Sequence, residues 1–136
     1  MNQEFFSTSD EETQKLGEEF ARELEPGDVV LLYGDLGYGK TTFVKGIAVG
    51  LGVKTRIISP TFPIVRTHNN MHHIDLYRIE GMKNLQEIGI QELLEDPNSI
   101  KLIEWPEKLK NLPEKRWEVK FEIEGEGRKI LINRYL

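Results

Sequence analysis

The chain has 136 residues, a formal net charge of −5 and no cysteine. Its length suits one domain spanning residues 1–136. The absence of cysteine excludes disulfides and thiolate metal sites, and the acidic balance argues against a protein that grips nucleic acid alone, which needs a basic surface. No run approaches the ~18 apolar residues of a membrane span. The N-terminus lacks the pattern of a signal peptide, so a cytoplasmic protein is expected.

The first predicted elements are a capped helix and a buried strand. Ser9 and Glu12 have the spacing of a capping box, apolar residues follow at helical spacing as far as Leu24, and Pro26-Gly27 stops the helix. Val29–Tyr33 is a continuous apolar run, which is typical of a strand buried on both faces of a parallel sheet.

A glycine-rich loop and a second helix come next. The loop begins at Gly34, and the helix after it carries one apolar face and closes at Gly52. That face is formed by Phe43, Val44, Ile47, Ala48 and Leu51. Strand, loop and helix in this order are the context that a phosphate-binding P-loop requires.

The middle of the chain predicts short strands followed by a helix. A short strand is expected at residues 56–58, and residues 64–67 and 71–77 are expected to form an antiparallel hairpin. A helix is expected over residues 85–94. The next strand, residues 100–103, places Glu104 at its carboxyl end.

The C-terminal part predicts a second hairpin. One or two helical turns are expected at residues 107–112, and residues 118–124 alternate strictly between polar and apolar side chains before 129–132 pair back. The core face of that strand is Val119, Phe121 and Ile123. The order of elements predicts an α/β fold. With the P-loop, it is a P-loop NTPase-like three-layer α/β/α fold with a mixed sheet and antiparallel hairpins.

The strongest chemical signal is the run Gly34-Asp35-Leu36-Gly37-Tyr38-Gly39-Lys40-Thr41, which fits the P-loop pattern in full. Glycines let backbone N–H groups turn toward phosphate oxygens, and the next helix adds the positive end of its dipole. Lys40 can reach the β- and γ-phosphates, and the Thr41 hydroxyl can bind Mg²⁺. The chain lacks the Asn-Lys-x-Asp run of guanine-specific switches, which favours ATP over GTP.

Two acids compete for the roles that accompany a P-loop. Glu104 and Asp75 each qualify as the metal carboxylate or as the group that orients water, or as an ordinary solvated acid at a strand end. Thr61 lies on a loop where such proteins sense the γ-phosphate, although an ordinary loop residue would have the same appearance.

Three side chains next to these acids have roles that the sequence specifies less well. His72 and His73 adjoin Asp75, but a zinc site would need more ligands, so packing within the sheet is favoured. Trp105 follows Glu104 and can be a core aromatic, a surface aromatic or a cover of the nucleotide site.

Two other functions remain open at this point. A small-molecule or nucleotide kinase would use the same P-loop, but no arginine-rich lid is evident and little chain is left for a phosphate acceptor. A nucleotide-sensing module would bind without turnover.

The P-loop and three further motifs resemble those of the TsaE (YjeE) ATPases in order and interval. These further motifs are Ser59-Pro60-Thr61-Phe62, His73-Ile74-Asp75-Leu76-Tyr77-Arg78 and Leu102-Ile103-Glu104-Trp105-Pro106. The resemblance implies a small bacterial P-loop ATPase that takes part in making threonylcarbamoyladenosine (t6A) in tRNA. It implies action with the proteins TsaB and TsaD, and contact with tRNA only through that complex.

The resemblance also implies roles for residues. It makes Lys40 and Thr41 the phosphate and Mg²⁺ contacts and Glu104 the metal carboxylate. It gives Thr61 a switch role and favours Asp75 as a catalytic acid that orients water. The implied nucleotide-binding residues are Asp35, Leu36, Gly37, Tyr38, Gly39, Lys40, Thr41, Thr42 and Trp105 in and beside the loop, and Asp10 or Thr13 and Gly127 or Arg128 near the adenine. Tyr38, where many members carry alanine, and Phe62, where some carry tyrosine, depart from the family pattern.

Overall fold

The computed structural model describes residues 2–35, 39–54, 65–79 and 82–136. Within these ranges, seven strands form one sheet in the order β1-β7-β6-β2-β5-β4-β3. The elements in chain order are β1 (Asn2–Ser7), α1 (Asp10–Ala21), β2 (Val29–Tyr33), α2 (Lys40–Gly50), β3 (Val65–His68), β4 (Met71–Asp75), α3 (Met82–Glu87), α4 (Ile90–Glu95), β5 (Ile100–Glu104), a 3₁₀ turn (Pro106–Lys108), β6 (Arg116–Glu124) and β7 (Gly127–Tyr135).

The sheet is mixed, as the sequence predicts. β2 pairs in parallel with β5 and β6, and β4 pairs in parallel with β5. β7 is antiparallel to β1 and β6, and β3 is antiparallel to β4. The carboxyl ends of β2, β5 and β4 therefore lie side by side at one end of the sheet, which is where open α/β sheets bind ligands.

Helices cover the sheet on both faces, and β2 shows why. Val30 and Leu32 pack with the buried side chains of α1 and α2. Val29 and Leu31 point the other way and pack with those of α3 and α4 and with Leu109, which follows the 3₁₀ turn. A strand buried on both faces needs an apolar residue at every position, so the continuous run at β2 is explained. The predicted α/β fold is confirmed.

The helices α1 and α2 meet backbone to backbone. A Cβ added to Gly46 would lie 2.0 Å from the carbonyl oxygen of Gln14, and one added to Gly17 would lie 2.3 Å from that of Phe43. Any side chain at either glycine would push the helices apart. This contact holds α1 against the helix that follows the glycine-rich loop.

The start of α1 differs in one detail from the predicted capping box. Ser9 is the N-cap, and its hydroxyl accepts a hydrogen bond from the N–H of Glu12 at 3.1 Å, as predicted. The carboxylate of Glu12 instead accepts from the hydroxyl of Thr8 at 2.7 Å. Both interactions fix the direction in which the chain enters α1.

One helix was predicted wrongly. The helix expected over residues 85–94 is broken into α3 and α4 at Gly89, whose φ is 69°. Of the one or two helical turns expected at residues 107–112, one is present as the short 3₁₀ turn Pro106–Lys108, displaced toward the N-terminus. The strand expected at residues 56–58 lies outside the described residues.

Two features of the strands also differ from the sequence prediction. No strand was expected at β1, which pairs with β7 along its whole length. Val119 and Phe121 are core residues as predicted, whereas Ile123 is 50% exposed, because it lies next to the hairpin turn. In the part of the chain that the structure covers, no helix has the length and apolar character needed to cross a membrane.

Candidate functional site

The junction between β2 and α2 is built around Gly39. Gly39 is the N-cap of α2 with a φ of 96°, which side-chain-bearing residues rarely adopt. A Cβ at this position would also lie 3.0 Å from a guanidinium nitrogen of Arg128. Thr41 and Thr42 are half-buried in the first turn of α2, and Asp35 is exposed. The N-terminal N–H groups of α2 and their dipole favour an anion here.

Lys40 is buried at the base of this junction, with 4% of its surface exposed. Its Nζ donates a hydrogen bond to the carbonyl of Gly34 and lies 4.0 Å from Oε1 of Glu104. It also lies 4.5 Å from the ring centroid of Trp105. Burial lowers the pKa of Lys40, and the nearby carboxylates of Glu104 and Asp75 oppose that shift.

The two candidate carboxylates are neighbours. Asp75 and Glu104 are Cα partners at the ends of β4 and β5, and the N–H of Leu76 extends the pairing by donating to the carbonyl of Glu104 at 3.1 Å. Burial raises the pKa of Asp75, and the negative charge of Glu104 adds to the rise. A hydrogen bond from the N–H of Tyr77 to Oδ1 of Asp75, 2.9 Å long, opposes it.

Glu104 also contacts His73, a residue that the sequence analysis assigned only to packing within the sheet. Nε2 of His73 lies 2.6 Å from Oε2 of Glu104, and His73 is fully buried while Glu104 is 3% exposed. His73 does lie within the sheet as expected, but it also contacts the predicted metal carboxylate. The alternation His73-x-Asp75 was the available signal, since it places both side chains on one face of β4.

Trp105 covers Lys40. Its backbone is left-handed, with a φ of 59°, which is uncommon for a bulky residue. The ring packs at 4.8 Å between centroids on Tyr77, which is 46% exposed. The indole Nε1 is buried and has no hydrogen-bond partner in the described part of the chain. Trp105 is thus partly buried against the core cluster that includes Leu31 and Ile103 and also lies over Lys40. A position over the nucleotide stays a prediction.

A second cluster joins the residues expected near the adenine. Nη1 of Arg128 lies 2.9 Å from Oδ1 of Asp10 and donates to the hydroxyl of Thr13 at 3.2 Å. The hydroxyl of Thr13 is 2.7 Å from that of Ser7, which sequence reasoning did not single out. Gly127 lies close enough to β1 that a Cβ there would meet the Ser7 carbonyl at 2.7 Å.

Because Arg128 also lies against Gly39, this cluster adjoins the end of the P-loop. The structure therefore brings together the residues predicted from distant parts of the sequence. The remaining predicted residues, Leu36, Gly37, Tyr38 and Thr61, lie outside the described residues.

The donor set fits Mg²⁺ held jointly with phosphate. Among the described residues, no group of three or more His, Cys, Asp or Glu side chains is arranged to hold a metal ion. The Thr41 hydroxyl and the Glu104 carboxylate are oxygen donors on neighbouring elements. Mg²⁺ is usually bound by one or two carboxylates together with substrate phosphates rather than by a complete protein cage.

Comparison with known proteins identifies the family. A family model described as "Threonylcarbamoyl adenosine biosynthesis protein TsaE" matches residues 7–130. The chain belongs to the TsaE family. That match spans the P-loop, Asp75, Glu104 and most of the C-terminal hairpin. The family resemblance that the four motifs indicated is therefore confirmed.

Individual TsaE proteins agree with this assignment. The chain is 40% identical to the tRNA threonylcarbamoyladenosine biosynthesis protein TsaE of Rickettsia bellii over 117 residues, which cover 82% of this chain and 80% of the relative. It is 39% identical to that of Treponema pallidum over 112 residues, covering 79% and 82%. The crystal structure of YdiB from Bacillus subtilis superposes with a TM-score of 0.83 at 31% identity, covering 100% of this chain and 87% of that chain.

Proposed function

We propose that this TsaE family member binds ATP with Mg²⁺ beside the N-terminus of α2 and hydrolyses it in support of t6A formation in tRNA. The observation that carries the proposal is the convergence of Lys40, Asp75 and Glu104 at the carboxyl ends of β2, β4 and β5. One cation and two carboxylates beside a helix N-terminus form the set that P-loop nucleotide hydrolysis uses.

The phosphate end of ATP meets the start of α2. Lys40 binds the β- and γ-phosphates, exchanging its bond to the Gly34 carbonyl for phosphate oxygens. Thr41 and Glu104 hold Mg²⁺, which when bound neutralises charge on the phosphates. Backbone N–H groups of the loop complete the cradle. The residues assigned to it are Asp35, Leu36, Gly37, Tyr38, Gly39 and Thr42.

We assign to Asp75 the role of orienting and activating the water that attacks the γ-phosphate. It follows β4 directly beside Glu104, and a carboxylate whose pKa is raised accepts a proton more readily than an ordinary aspartate. In the same proposal Thr61 senses the γ-phosphate. Trp105, Asp10, Thr13, Gly127 and Arg128 form the rim that faces the nucleoside, and the lack of a guanine-reading run favours adenine.

The output of hydrolysis is a change passed to protein partners, TsaD and TsaB. A ligand can shift a conformational equilibrium only by binding one state better, and ATP and its products differ in this respect. The net charge of −5 assigns tRNA binding to the partners rather than to this chain. A cytoplasmic location belongs to the same proposal.

Phosphate release from ATP tests the proposal. The wild-type protein should hydrolyse ATP slowly alone and faster with the TsaB–TsaD pair, and Lys40→Met should remove both rates. Equal rates with and without the partners would refute the coupling. Transfer of the γ-phosphate to a metabolite instead of water would indicate a kinase.

A further inference from the structure

We propose that His73 is a positioning residue that orients Glu104 to receive Mg²⁺. This inference rests on the proposed function, because it assigns a role to the carboxylate that is expected to bind the metal. His73 itself lies beneath Glu104, fully buried, so it acts through the carboxylate rather than on the nucleotide.

The two oxygens of Glu104 face different partners. Oε2 is 2.6 Å from Nε2 of His73, whereas Oε1 is 4.0 Å from Nζ of Lys40. The short hydrogen bond with His73 thus fixes Oε2, and Oε1 is directed toward Lys40 of the P-loop. A carboxylate held in this way presents one oxygen to the P-loop lysine and to the ion expected beside it.

The sheet register makes this pair possible. His73 pairs with Leu102, and Asp75 pairs with Glu104. His73 and Glu104 are therefore diagonal neighbours on the face of the sheet that α2 covers, a spacing that long side chains bridge. The β4–β5 pairing fixes both ends of the contact, although 31 positions separate the residues in sequence.

For Glu104 to bind Mg²⁺ its carboxylate must be ionised, and the proton on the His73 ring is then expected on Nε2. An ionised carboxylate can only accept, so the nitrogen at 2.6 Å must donate. Nδ1 is buried and has no partner among the described residues. A neutral ring with the proton on Nε2 leaves only a lone pair unused at Nδ1, which costs less than an unpaired N–H donor.

Partners of this kind matter for metal affinity. Replacing the hydrogen-bond partner of a metal-binding side chain typically costs about 10- to 100-fold in metal affinity. We therefore expect the loss of the His73 donor to weaken Mg²⁺ binding about tenfold, the lower end of that range. Binding of nucleotide without Mg²⁺ should hardly change, because His73 does not reach the phosphates.

Equilibrium dialysis of a non-hydrolysable ATP analogue tests the role in the full-length protein. Affinity is measured in EDTA and over a Mg²⁺ titration for His73→Met and His73→Gln, which have nearly the same size but differ in the N–H donor. The Met variant should need about tenfold more Mg²⁺ for half-maximal enhancement, and the Gln variant should stay within about threefold of wild type.

The neighbouring histidine supplies the control. His72 points to the other face of β4, where its Nδ1 pairs with the hydroxyl of Thr67 at 2.9 Å. His72→Met should leave the Mg²⁺ midpoint unchanged. Thermal unfolding of every variant shows that the compared proteins are folded.

The outcomes separate this inference from the proposed function. Equal Mg²⁺ midpoints for His73→Met and wild type, or a matching loss of affinity in EDTA, would overturn the positioning role while leaving the ATP site intact. A wild-type protein that binds no ATP analogue would refute the proposed function itself. Imidazole nitrogen NMR of the wild type needs no variant, and an unprotonated Nε2 on His73 would also overturn the role.

Discussion

Two buried lysines stand at opposite ends of the sheet and differ in how their charge is compensated. Lys40 at the start of α2 is 4% exposed, and Lys101 near the start of β5 is fully buried. Burial lowers the pKa of both. Nζ of Lys101 donates to three backbone carbonyls, those of Asp96 at 2.5 Å, Ser99 at 2.9 Å and Gly27 at 3.2 Å.

An ammonium group has three N–H donors, so Lys101 is saturated by the protein. Among the described residues, Lys40 donates to one carbonyl, that of Gly34, and has Glu104 at 4.0 Å. Lys101 therefore ties loops together, whereas under the proposed function the ammonium group of Lys40 turns to the phosphates of a ligand. Substitutions at and around the two lysines test that division.

Lys40→Met should reduce ATP hydrolysis about 1000-fold, because it removes a fixed positive charge from the transferred phosphate. Its free energy of unfolding should fall by less than that of Lys101→Met, since Lys40 donates to one described carbonyl and Glu104 keeps its hydrogen bond to His73. Phosphate release and urea unfolding measure the two effects. A rate within tenfold of wild type would contradict the assignment.

Asp75→Asn should reduce hydrolysis about 100-fold, the lower end of the range for a lost general base. Asparagine keeps the oxygen that accepts from Tyr77. Because the folded state raises the pKa of Asp75, the stability linked to its protonation is present at low pH and lost as pH rises through that pKa. The Asn variant should therefore melt higher than wild type at pH 7, and the difference should shrink on acidification.

The raised pKa of Asp75 also affects the rate at which the wild-type protein hydrolyses ATP. Water activation needs the deprotonated form of Asp75, so hydrolysis should fall as pH drops through a pKa above the ordinary value of 3.8. A pH–rate profile measures this limb. An acid limb at or below the ordinary value would contradict the role of Asp75.

Lys101→Met should show the opposite pattern to Lys40→Met. It removes the Lys101 donor from the carbonyls of Asp96 and Gly27 and one of two donors from that of Ser99, which keeps the N–H of Gly27. This loss should cost about 2 kcal/mol of unfolding free energy. ATP hydrolysis per folded molecule should stay within about twofold of wild type, because Lys101 lies at the other end of the sheet. A variant that loses hydrolysis but not stability would reverse the comparison.

Arg128→Ala should have the smallest effect. It removes the contacts to Asp10 and Thr13 at the rim, where partial exposure weakens charge interactions, and should lower ATP affinity about fivefold. The control is Lys129→Ala, which breaks a similarly exposed pair with Glu4 (3.7 Å) and should leave affinity unchanged. Equal losses in the two variants would point to a general charge effect.

Local patterns in the sequence predicted the P-loop and its two flanking elements. Val29–Tyr33, the glycines and the apolar face of α2 are encoded within about 20 consecutive residues, where hydrophobic periodicity and backbone requirements act directly. Their positions at predicted strand ends singled out Asp75 and Glu104, and the family motifs divided the two roles between them. Their side-by-side arrangement follows from parallel pairing of β4 and β5, which a single sequence does not state.

The features that were missed depend on distant neighbours. In β1 the inward face carries both the apolar Phe5 and the polar Ser7, while the apolar Phe6 on the other face is 54% exposed, so polar and apolar residues do not alternate. The apolar spacing of residues 85–94 continues through Gly89 and hides the break. The contact between His73 and Glu104 depends on strand register, and the saturation of Lys101 depends on loops that meet only in the folded protein.

The proposed ATP site at the carboxyl end of the sheet depends on Lys40. Calorimetric titration of Mg²⁺ and an ATP analogue into wild type, Lys40→Met and Lys101→Met tests this dependence. We expect one site per chain, with wild type and Lys101→Met within about threefold and Lys40→Met weaker by at least about tenfold, the loss of a charge-assisted phosphate contact. Equal affinity in Lys40→Met and wild type would contradict it.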